Sequence, residues 1–263
     1  MNNFWQRAIT GFFFVVVIVA ATLYHAYSFL ALLLLIGTVA LWEYYRIVFN
    51  GVLKPVHYFF IASGAALIAA TGAGSEPVYL FHATGLLFAI AALFVLLSKE
   101  RNWKHVGSLA GGLLYIAVPL SLFYLAGVRT GTYQPYHVLN LFILIWSSDT
   151  FAYLCGRAFG KRKLFESVSP KKTVEGFIGG AVLTMGFSVL LSYYWNIPYS
   201  VNIATALMTV IFGTLGDLVE SMLKREYGIK DSGSILPGHG GMLDRFDALL
   251  VSLPFTTACY YFL

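Results

Sequence analysis

Two acidic residues inside hydrophobic segments give this sequence its first chemical signal. Asp149 lies seven residues before Arg157, and Asp217 lies seven residues before Lys224. In helices that rise about 1.5 Å per residue, each aspartate would lie roughly 10 Å from the basic end of its helix. Two segments therefore place a carboxylate at the same depth. Because burying an acid in a membrane is expensive, both are candidates for a functional site.

A second group of acids lies near the C-terminus. Asp244 and Asp247 open the last hydrophobic segment, where their i, i+3 spacing puts them on one helical face, and Asp231 lies in the preceding loop. Carboxylates supply part of an octahedral Mg²⁺ shell, and phosphate oxygens can supply the rest. The interleaved lysines and arginines would neutralise further phosphate charge. The pattern predicts a Mg²⁺ site that presents a polyphosphate, and Gly238, Gly240 and Gly241 would let the backbone approach the anion closely.

Each acid also has a purely structural interpretation. Asp217 could pair with Lys224 along one helix face, and Asp244 could pair with a neighbouring arginine. Glu43 precedes Arg46 by three residues, so a local ion pair is predicted there.

Other polar residues give weaker signals. Glu175 begins a hydrophobic segment and is predicted to complement a helix dipole, with no catalytic role. Cys155 and Cys259 have too few other metal-ligand residues around them for a zinc site and are predicted to be small apolar packing residues. Among the histidines, only His239, inside the charged loop, is a functional candidate.

Hydrophobic segments dominate the chain and must position these residues. Of 263 residues, 59% are hydrophobic and 11% are charged, which is typical of a polytopic membrane protein. About 20 apolar residues span a bilayer as a helix. The predicted spans are residues 8–24, 28–48, 57–73, 78–97, 106–126, 136–156, 175–195, 203–223 and 246–262. The fold is therefore predicted to be all-α with about nine transmembrane helices, and an eight-helix count is the alternative.

The domain organisation follows from the same segments. We expect one transmembrane domain over residues 1–263, with N-terminal helices in 1–130 and catalytic helices and cytosolic loops in 131–263. The first segment has no convincing cleavage site after it and is predicted to be a retained helix.

Lysine and arginine positions predict the orientation. With a cytoplasmic N-terminus, every lysine and arginine except Arg129 falls on the cytosolic side. This asymmetry supports nine spans with the C-terminus outside. The net charge of +5 follows membrane topology and gives no reason to expect a nucleic-acid partner.

Twelve residues near the C-terminus form one ordered pattern, S-x2-KR-x4-KD-x5-P-x-HGG-x2-DR-x-D, from Ser221 to Asp247. This pattern resembles the signature of the phosphatidate cytidylyltransferases, also called CDP-diacylglycerol synthases. The segment from Ser147 to Gly180, which contains Ser-Pro-Lys-Lys-Thr, is similar to a second segment of that family. The resemblance covers the C-terminal half in motif detail, whereas the N-terminal half matches only as a set of hydrophobic spans.

The resemblance implies transfer of a cytidylyl group from CTP to phosphatidate, with Mg²⁺ required and a second cation such as K⁺ as a further possibility. It also suggests a homodimer in a bacterial inner membrane with the active site facing the cytosol. The implied catalytic residues are Asp217, Asp244, Lys224, Arg245 and His239. The implied substrate-binding residues are Ser169, Lys171, Lys172, Thr173, Ser221, Arg225, Lys230, Gly240 and Gly241. The implied metal ligands are Asp217, Asp244, Asp247, Asp231 and Asp149.

Two other functions stay open at this point. A polyprenol or phytol kinase also uses CTP on a lipid but releases CDP. An ion-coupled transporter could place acids within the membrane, although here acids and cations crowd one side.

Overall fold

The helices cover most of the chain. The computed structural model describes residues 3–74, 77–98, 101–236, 238 and 240–262. Its helices are α1 (Asn3–Tyr24), α2 (Ala26–Val48), α3 (Pro55–Gly72), α4 (Pro77–Leu97), α5 (Trp103–Gly112), α6 (Val118–Val128), α7 (Pro135–Phe159), α8 (Val174–Trp195), α9 (Tyr199–Glu226) and α10 (Leu243–Phe262). A π-helical turn, Leu113–Ala117, joins α5 and α6 into one continuous helix. A short antiparallel hairpin, β1 (Lys163–Phe165) and β2 (Ser169–Thr173), connects α7 to α8.

Helix length and composition confirm the predicted membrane fold. Within the described residues, eight helices are long and apolar enough to cross a membrane, counting α5 and α6 as one. The 20-residue α10 coincides with the ninth predicted span, but its charged first turn lowers its hydropathy. The chain is therefore an all-α integral membrane protein, with eight or nine spans in the part that the structure describes. Such segments are helical because the backbone has no water to bind in lipid.

Two compact units divide the chain. The first comprises Met1–Leu125 and Asp231–Arg245, and the second comprises Ala126–Lys230 and Phe246–Leu263. In the first unit, α2 packs against α1, α3 and α5. Its core contains the fully buried Phe29 and Tyr45, and the Tyr45 hydroxyl donates a hydrogen bond to the Leu109 carbonyl at 2.7 Å. Helix α2 is thus fixed by apolar packing along its length.

In the second unit, α7 packs along α8, and both contact α9. A buried polar network adds specific links. The Asn140 amide donates to Asn202 Oδ1 at 2.7 Å and to the Tyr260 hydroxyl at 2.9 Å, and the Asn202 amide donates to the Ser188 carbonyl at 2.8 Å. The side chains come from α7, α9 and α10 and the carbonyl comes from α8, and interhelical hydrogen bonds of this kind stabilise packing in lipid. The network fixes the helices that carry the acids discussed below.

Candidate active site

Three carboxylates meet where α9 and α10 approach each other in the second unit. Asp217 and Glu220 lie three residues apart on α9, and Asp247 lies in the second turn of α10. One carboxylate oxygen from each lies within 4.8 Å of the others. Glu220 is 1% exposed and Asp247 is 9% exposed. The structure therefore brings together two predicted metal ligands and one acid that the sequence reasoning did not select.

Close backbone packing sets this geometry. A Cβ atom at Gly216 would lie 2.4 Å from the Asp247 carbonyl oxygen and 3.0 Å from the Ala248 Cα. Only glycine allows the two helix backbones to approach this far. The residue next to Asp217 therefore sets its distance from Asp247.

Two lysines accompany the three acids. Lys172, on β2, forms an ion pair with Asp217 Oδ2. Lys224 forms an ion pair with Glu220 at 2.5 Å, and both side chains are largely buried. Lys224 thus binds Glu220 and does not form the pair with Asp217 that was considered as a structural alternative. Oxygen donors at this spacing fit a hard divalent cation, because carboxylates are the ligands that Mg²⁺ and Ca²⁺ prefer.

A cleft of about 390 Å³ adjoins Asp217. It lies among α7, α8, α9 and the β-hairpin. Its polar lining includes Asp149, Tyr153, Arg157, Lys171, Lys172, Thr173, Thr214 and Asp217. The candidate residues Asp149, Lys171, Lys172 and Thr173 are thus gathered around one space. Asp149 is also near enough to interact electrostatically with Asp247.

The N-terminus of α8 contributes a favourable dipole to this cleft. Thr173 Oγ1 accepts a hydrogen bond from the Gly176 amide at 3.2 Å and so caps the helix. The partial positive charge of a helix N-terminus attracts anions such as phosphate.

Glu175 anchors the loop before the hairpin. Its Oε2 accepts hydrogen bonds from the Lys161 and Arg162 amides at 2.9 and 3.1 Å, and its Oε1 pairs with Arg162 Nε at 3.5 Å. Glu175 lies in the first turn of α8 as predicted and also holds this basic loop. Ser169 pairs with Phe165 in the hairpin and is not one of the described residues that line the cleft.

The remaining predicted residues of α9 lie near its end. Ser221 is partly buried and follows Glu220 directly. Arg225 is exposed in the last turn, and Lys230 is exposed beyond the helix. The structure does not place either of these two cations among the described residues lining the cleft.

In the first unit, Asp244 holds the glycine-rich loop. Its Oδ2 accepts hydrogen bonds from the Ser232 amide at 2.9 Å and the Gly241 amide at 2.8 Å. Gly240 has φ +83°, and a Cβ there would lie 2.6 Å from Asp244 Oδ2, so both conformation and space require glycine. Asp231 and Arg245 are exposed at the two ends of this segment. His239 and Pro237 lie outside the described residues.

Glu43 contacts the same segment, and the ion pair predicted with Arg46 is wrong. The Glu43 carboxylate accepts hydrogen bonds from the Met242 amide at 3.0 Å, the Leu243 amide at 2.8 Å and the Ser232 hydroxyl at 3.1 Å. It is 1% exposed. The Arg46 guanidinium instead lies 4.6 Å from the centre of the Trp42 ring. Three donors from the distant loop thus replace the local partner.

Sequence reasoning missed Glu220 although a signal was present. Glu220 lies three residues after Asp217 in a hydrophobic helix, so the rule that selected Asp217 applied to it equally. The same rule applied to Glu43, which lies in the predicted span 28–48, but Arg46 three residues later suggested a local ion pair instead.

Comparison with known proteins gives consistent matches. The profile of the cytidylyltransferase family matches residues 5–263. A protein of Bacillus subtilis (strain 168) named phosphatidate cytidylyltransferase is 35% identical over 266 residues, which cover 97% of each chain. Proteins with the same name from Staphylococcus aureus (strain COL) and Staphylococcus haemolyticus (strain JCSC1435) are each 39% identical, over 168 and 166 residues. The Staphylococcus aureus alignment covers 63% of this chain and 63% of the relative. The Staphylococcus haemolyticus alignment covers 61% of this chain and 62% of the relative.

Proposed function

Because the chain belongs to the cytidylyltransferase family, we propose that it transfers a cytidylyl group from CTP to phosphatidate, giving CDP-diacylglycerol and pyrophosphate. The observation that carries the proposal is the carboxylate cluster of Asp217, Glu220 and Asp247 at the edge of a basic cleft. A reaction between two phosphate-bearing substrates needs this combination of acids for a metal and cations for phosphate oxygens.

The metal is proposed to be Mg²⁺. Asp217, Glu220 and Asp247 would hold it, because their oxygens converge within 4.8 Å and are hard donors. When bound, Mg²⁺ would neutralise charge on the triphosphate and on the departing pyrophosphate. Asp149 is the second choice as a ligand, because it is near enough to interact electrostatically with Asp247. Asp244 already accepts two backbone amides in the loop of the first unit.

The proposed reaction is a displacement at the α-phosphorus of CTP. A phosphate oxygen of phosphatidate forms the new bond to the α-phosphorus. The bond from the α-phosphorus to the oxygen that bridges to the β-phosphorus breaks, and pyrophosphate leaves with that electron pair. Since the lipid phosphate is anionic near neutral pH, it needs no general base. Catalysis then depends on positioning and charge neutralisation.

The cleft supplies residues for this positioning. Lys171, Lys172 and Arg157 line it and would bind the triphosphate and the lipid headgroup through charge-assisted hydrogen bonds. Lys172 already pairs with Asp217, so it would link the phosphate-binding side of the cleft to the carboxylate cluster. The amide groups at the start of α8 add donors without adding a charged side chain.

The membrane setting suits the two substrates. The positive-inside distribution favours charged loops on the cytosolic side, so CTP would enter from that side while the acyl chains stay in the bilayer. The same proposal includes a cytoplasmic N-terminus, location in a bacterial inner membrane, a homodimer and a second cation such as K⁺.

Labelled CTP tests the reaction directly. Wild-type protein in detergent would be incubated with phosphatidate and CTP labelled at the α-phosphorus, with and without Mg²⁺, and both lipid product and pyrophosphate would be followed. We expect Mg²⁺-dependent CDP-diacylglycerol from the wild type and none from Asp217→Asn. Glu226→Gln, which neutralises an exposed acid at the end of the same helix, is the matched control and should retain activity.

The products separate the alternatives. Release of CDP together with a newly phosphorylated lipid would replace the proposal with kinase chemistry. Solute uptake into sealed vesicles without CTP consumption would replace it with transport. Full activity in Asp217→Asn would leave the reaction but remove Asp217 from the metal site.

A further inference from the structure

We propose that Glu43 is a positioning residue for the active site: from its buried place on α2, it holds the start of α10, the helix that carries Asp244 and Asp247. This inference rests on the proposed function. The reaction scheme above gives Glu43 no part, and no sequence motif includes it. Its contacts nevertheless fall on the segment that matches the family signature.

The contacts are specific to the first residues of α10. Glu43 Oε1 accepts from the Met242 amide, just before the helix, and Oε2 accepts from the Leu243 amide, its first residue. Amides in the first turn of a helix have no carbonyl partner within that helix. A carboxylate there also interacts favourably with the helix dipole. Glu43 therefore acts as an N-terminal cap supplied from a different helix.

The loop is shaped to admit this carboxylate. A Cβ at Gly233 would lie 2.4 Å from Glu43 Oε1, and a Cβ at Gly241 would lie 2.6 Å from both carboxylate oxygens. The Ser232 hydroxyl donates to Glu43 Oε2, and the Ser232 amide donates to Asp244 Oδ2. Ser232 thus connects the buried Glu43 to an acid of the signature. Both carboxylates therefore stabilise the same loop through hydrogen bonds to Ser232.

The consequence for catalysis follows from helix geometry. Asp247 lies four residues after Leu243, which is one helical turn or about 6 Å of rise. A change in the position or direction of the first turn would therefore move the Asp247 carboxylate. Misplacement of a reacting group by about 1 Å can lower a rate about 100-fold. Glu43 thereby gives the N-terminal half of the chain a role in the reaction.

The test compares Glu43→Gln and Glu43→Ala with Arg46→Gln. Glutamine keeps the shape of the side chain but replaces one acceptor oxygen with a donor that faces a backbone amide. Arg46→Gln removes a charge one turn away on the same helix and is the matched control. Each purified protein would be assayed for kcat, for the phosphatidate KM and for the Mg²⁺ concentration that gives half-maximal activity. Hydrogen exchange of peptides covering residues 232–245 would be measured in parallel.

We expect Glu43→Gln to lower kcat by about 10-fold to 100-fold and to raise the Mg²⁺ requirement, with the phosphatidate KM unchanged within about twofold. Exchange in 232–245 should be faster, and Arg46→Gln should match the wild type in every measurement. Glu43→Ala should lose more activity than Glu43→Gln. Should Glu43→Ala fail to fold, Glu43→Gln carries the comparison.

Three results would overturn the inference while leaving the proposed function in place. Unchanged exchange in Glu43→Gln would show that Glu43 does not hold the loop. Faster exchange with wild-type kcat and Mg²⁺ response would leave Glu43 with a stabilising role only. An equal loss in Arg46→Gln would assign the effect to the end of α2 in general. A wild type that makes no CDP-diacylglycerol would refute the proposed function itself, and this inference with it.

Discussion

Replacing Gly216 with alanine should move the acids of the cluster apart without removing any charged side chain from the site. The Cβ of the new side chain would lie 2.4 Å from the Asp247 carbonyl oxygen, whereas ordinary contacts begin near 3.4 Å. The atoms that it meets belong to the backbone of α10, so no side-chain rotation relieves the clash. The two helices must therefore move apart locally by about 1 Å.

Two magnitudes follow from this displacement. Overpacking of a close contact costs about 1–3 kcal/mol, partly offset by the 0.5–1 kcal/mol that alanine typically gains over glycine inside a helix. A shift of about 1 Å in a reacting geometry can lower the rate about 100-fold. The variant should therefore remain folded but be much less active. A modest fall in melting temperature should accompany a large fall in kcat.

Gly213→Ala is the matched control, because it makes the same substitution one turn earlier on α9. Its Cβ would lie 3.7 Å from the Ala248 Cβ and 3.8 Å from the Ala248 carbonyl oxygen, so it fits. This variant should have wild-type activity and an unchanged or slightly higher melting temperature. Both variants would be assayed for CDP-diacylglycerol formation over a range of Mg²⁺ concentrations and melted in the same detergent.

Wild-type kcat in Gly216→Ala would refute the reasoning. It would mean either that the helices do not approach as closely as described or that Asp247 need not lie beside Asp217. Equal losses in Gly216→Ala and Gly213→Ala would also refute it, because the effect would then come from the rigidity of α9 and not from the contact.

Three further predictions concern the charged side chains. Glu220→Gln should lower both the melting temperature and activity, since breaking a buried ion pair typically costs about 3–5 kcal/mol; melting curves and CTP turnover check this. Lys172→Gln should weaken CTP binding about 10-fold to 100-fold, as expected for the loss of a charge-assisted contact worth about 1.5–3 kcal/mol. Lys161→Gln, in the exposed loop, should leave CTP binding unchanged. The CTP KM of each variant checks this. Mg²⁺ at about 100 times its Kd should stabilise the wild type by about 2.7 kcal/mol and Asp247→Asn much less; thermal melts with and without a chelator check this.

Much of the fold was predictable because lipid leaves the backbone few choices. A segment of about 20 apolar residues must be helical to satisfy its amides and carbonyls, so length and hydropathy located the spans. The acids followed from the same physics. Asp217 stood out because a carboxylate in a hydrophobic helix needs a partner, and Glu220 met the same criterion. Both were readable from local sequence.

Contacts between distant residues were not readable in this way. Spacing indicated Arg46 as the partner of Glu43. The Ser232 hydroxyl, 189 residues away in the sequence, donates a hydrogen bond to the Glu43 carboxylate instead. Local periodicity ranks only neighbours within one or two turns. Gly216 is a similar case, because a glycine in a helix shows that a close approach is possible and does not show what approaches. Tertiary packing decides both positions.

Charge balance connects the cluster to the kind of substrate it suits. Carboxylates within 4.8 Å repel each other by at least about 3.5 kcal/mol per pair at an effective dielectric constant of about 20. Asp217, Glu220 and Asp247 carry three negative charges when ionised, against two positive charges on Lys172 and Lys224. The ionised cluster therefore favours a further cation. A divalent ion would change the net charge of the cluster from negative to positive. The adjoining cleft is already lined by Lys171 and Arg157. Such a site favours binding of a polyanion over binding of a neutral solute or transport of a single metal ion. This balance supports nucleotide transfer over ion-coupled transport.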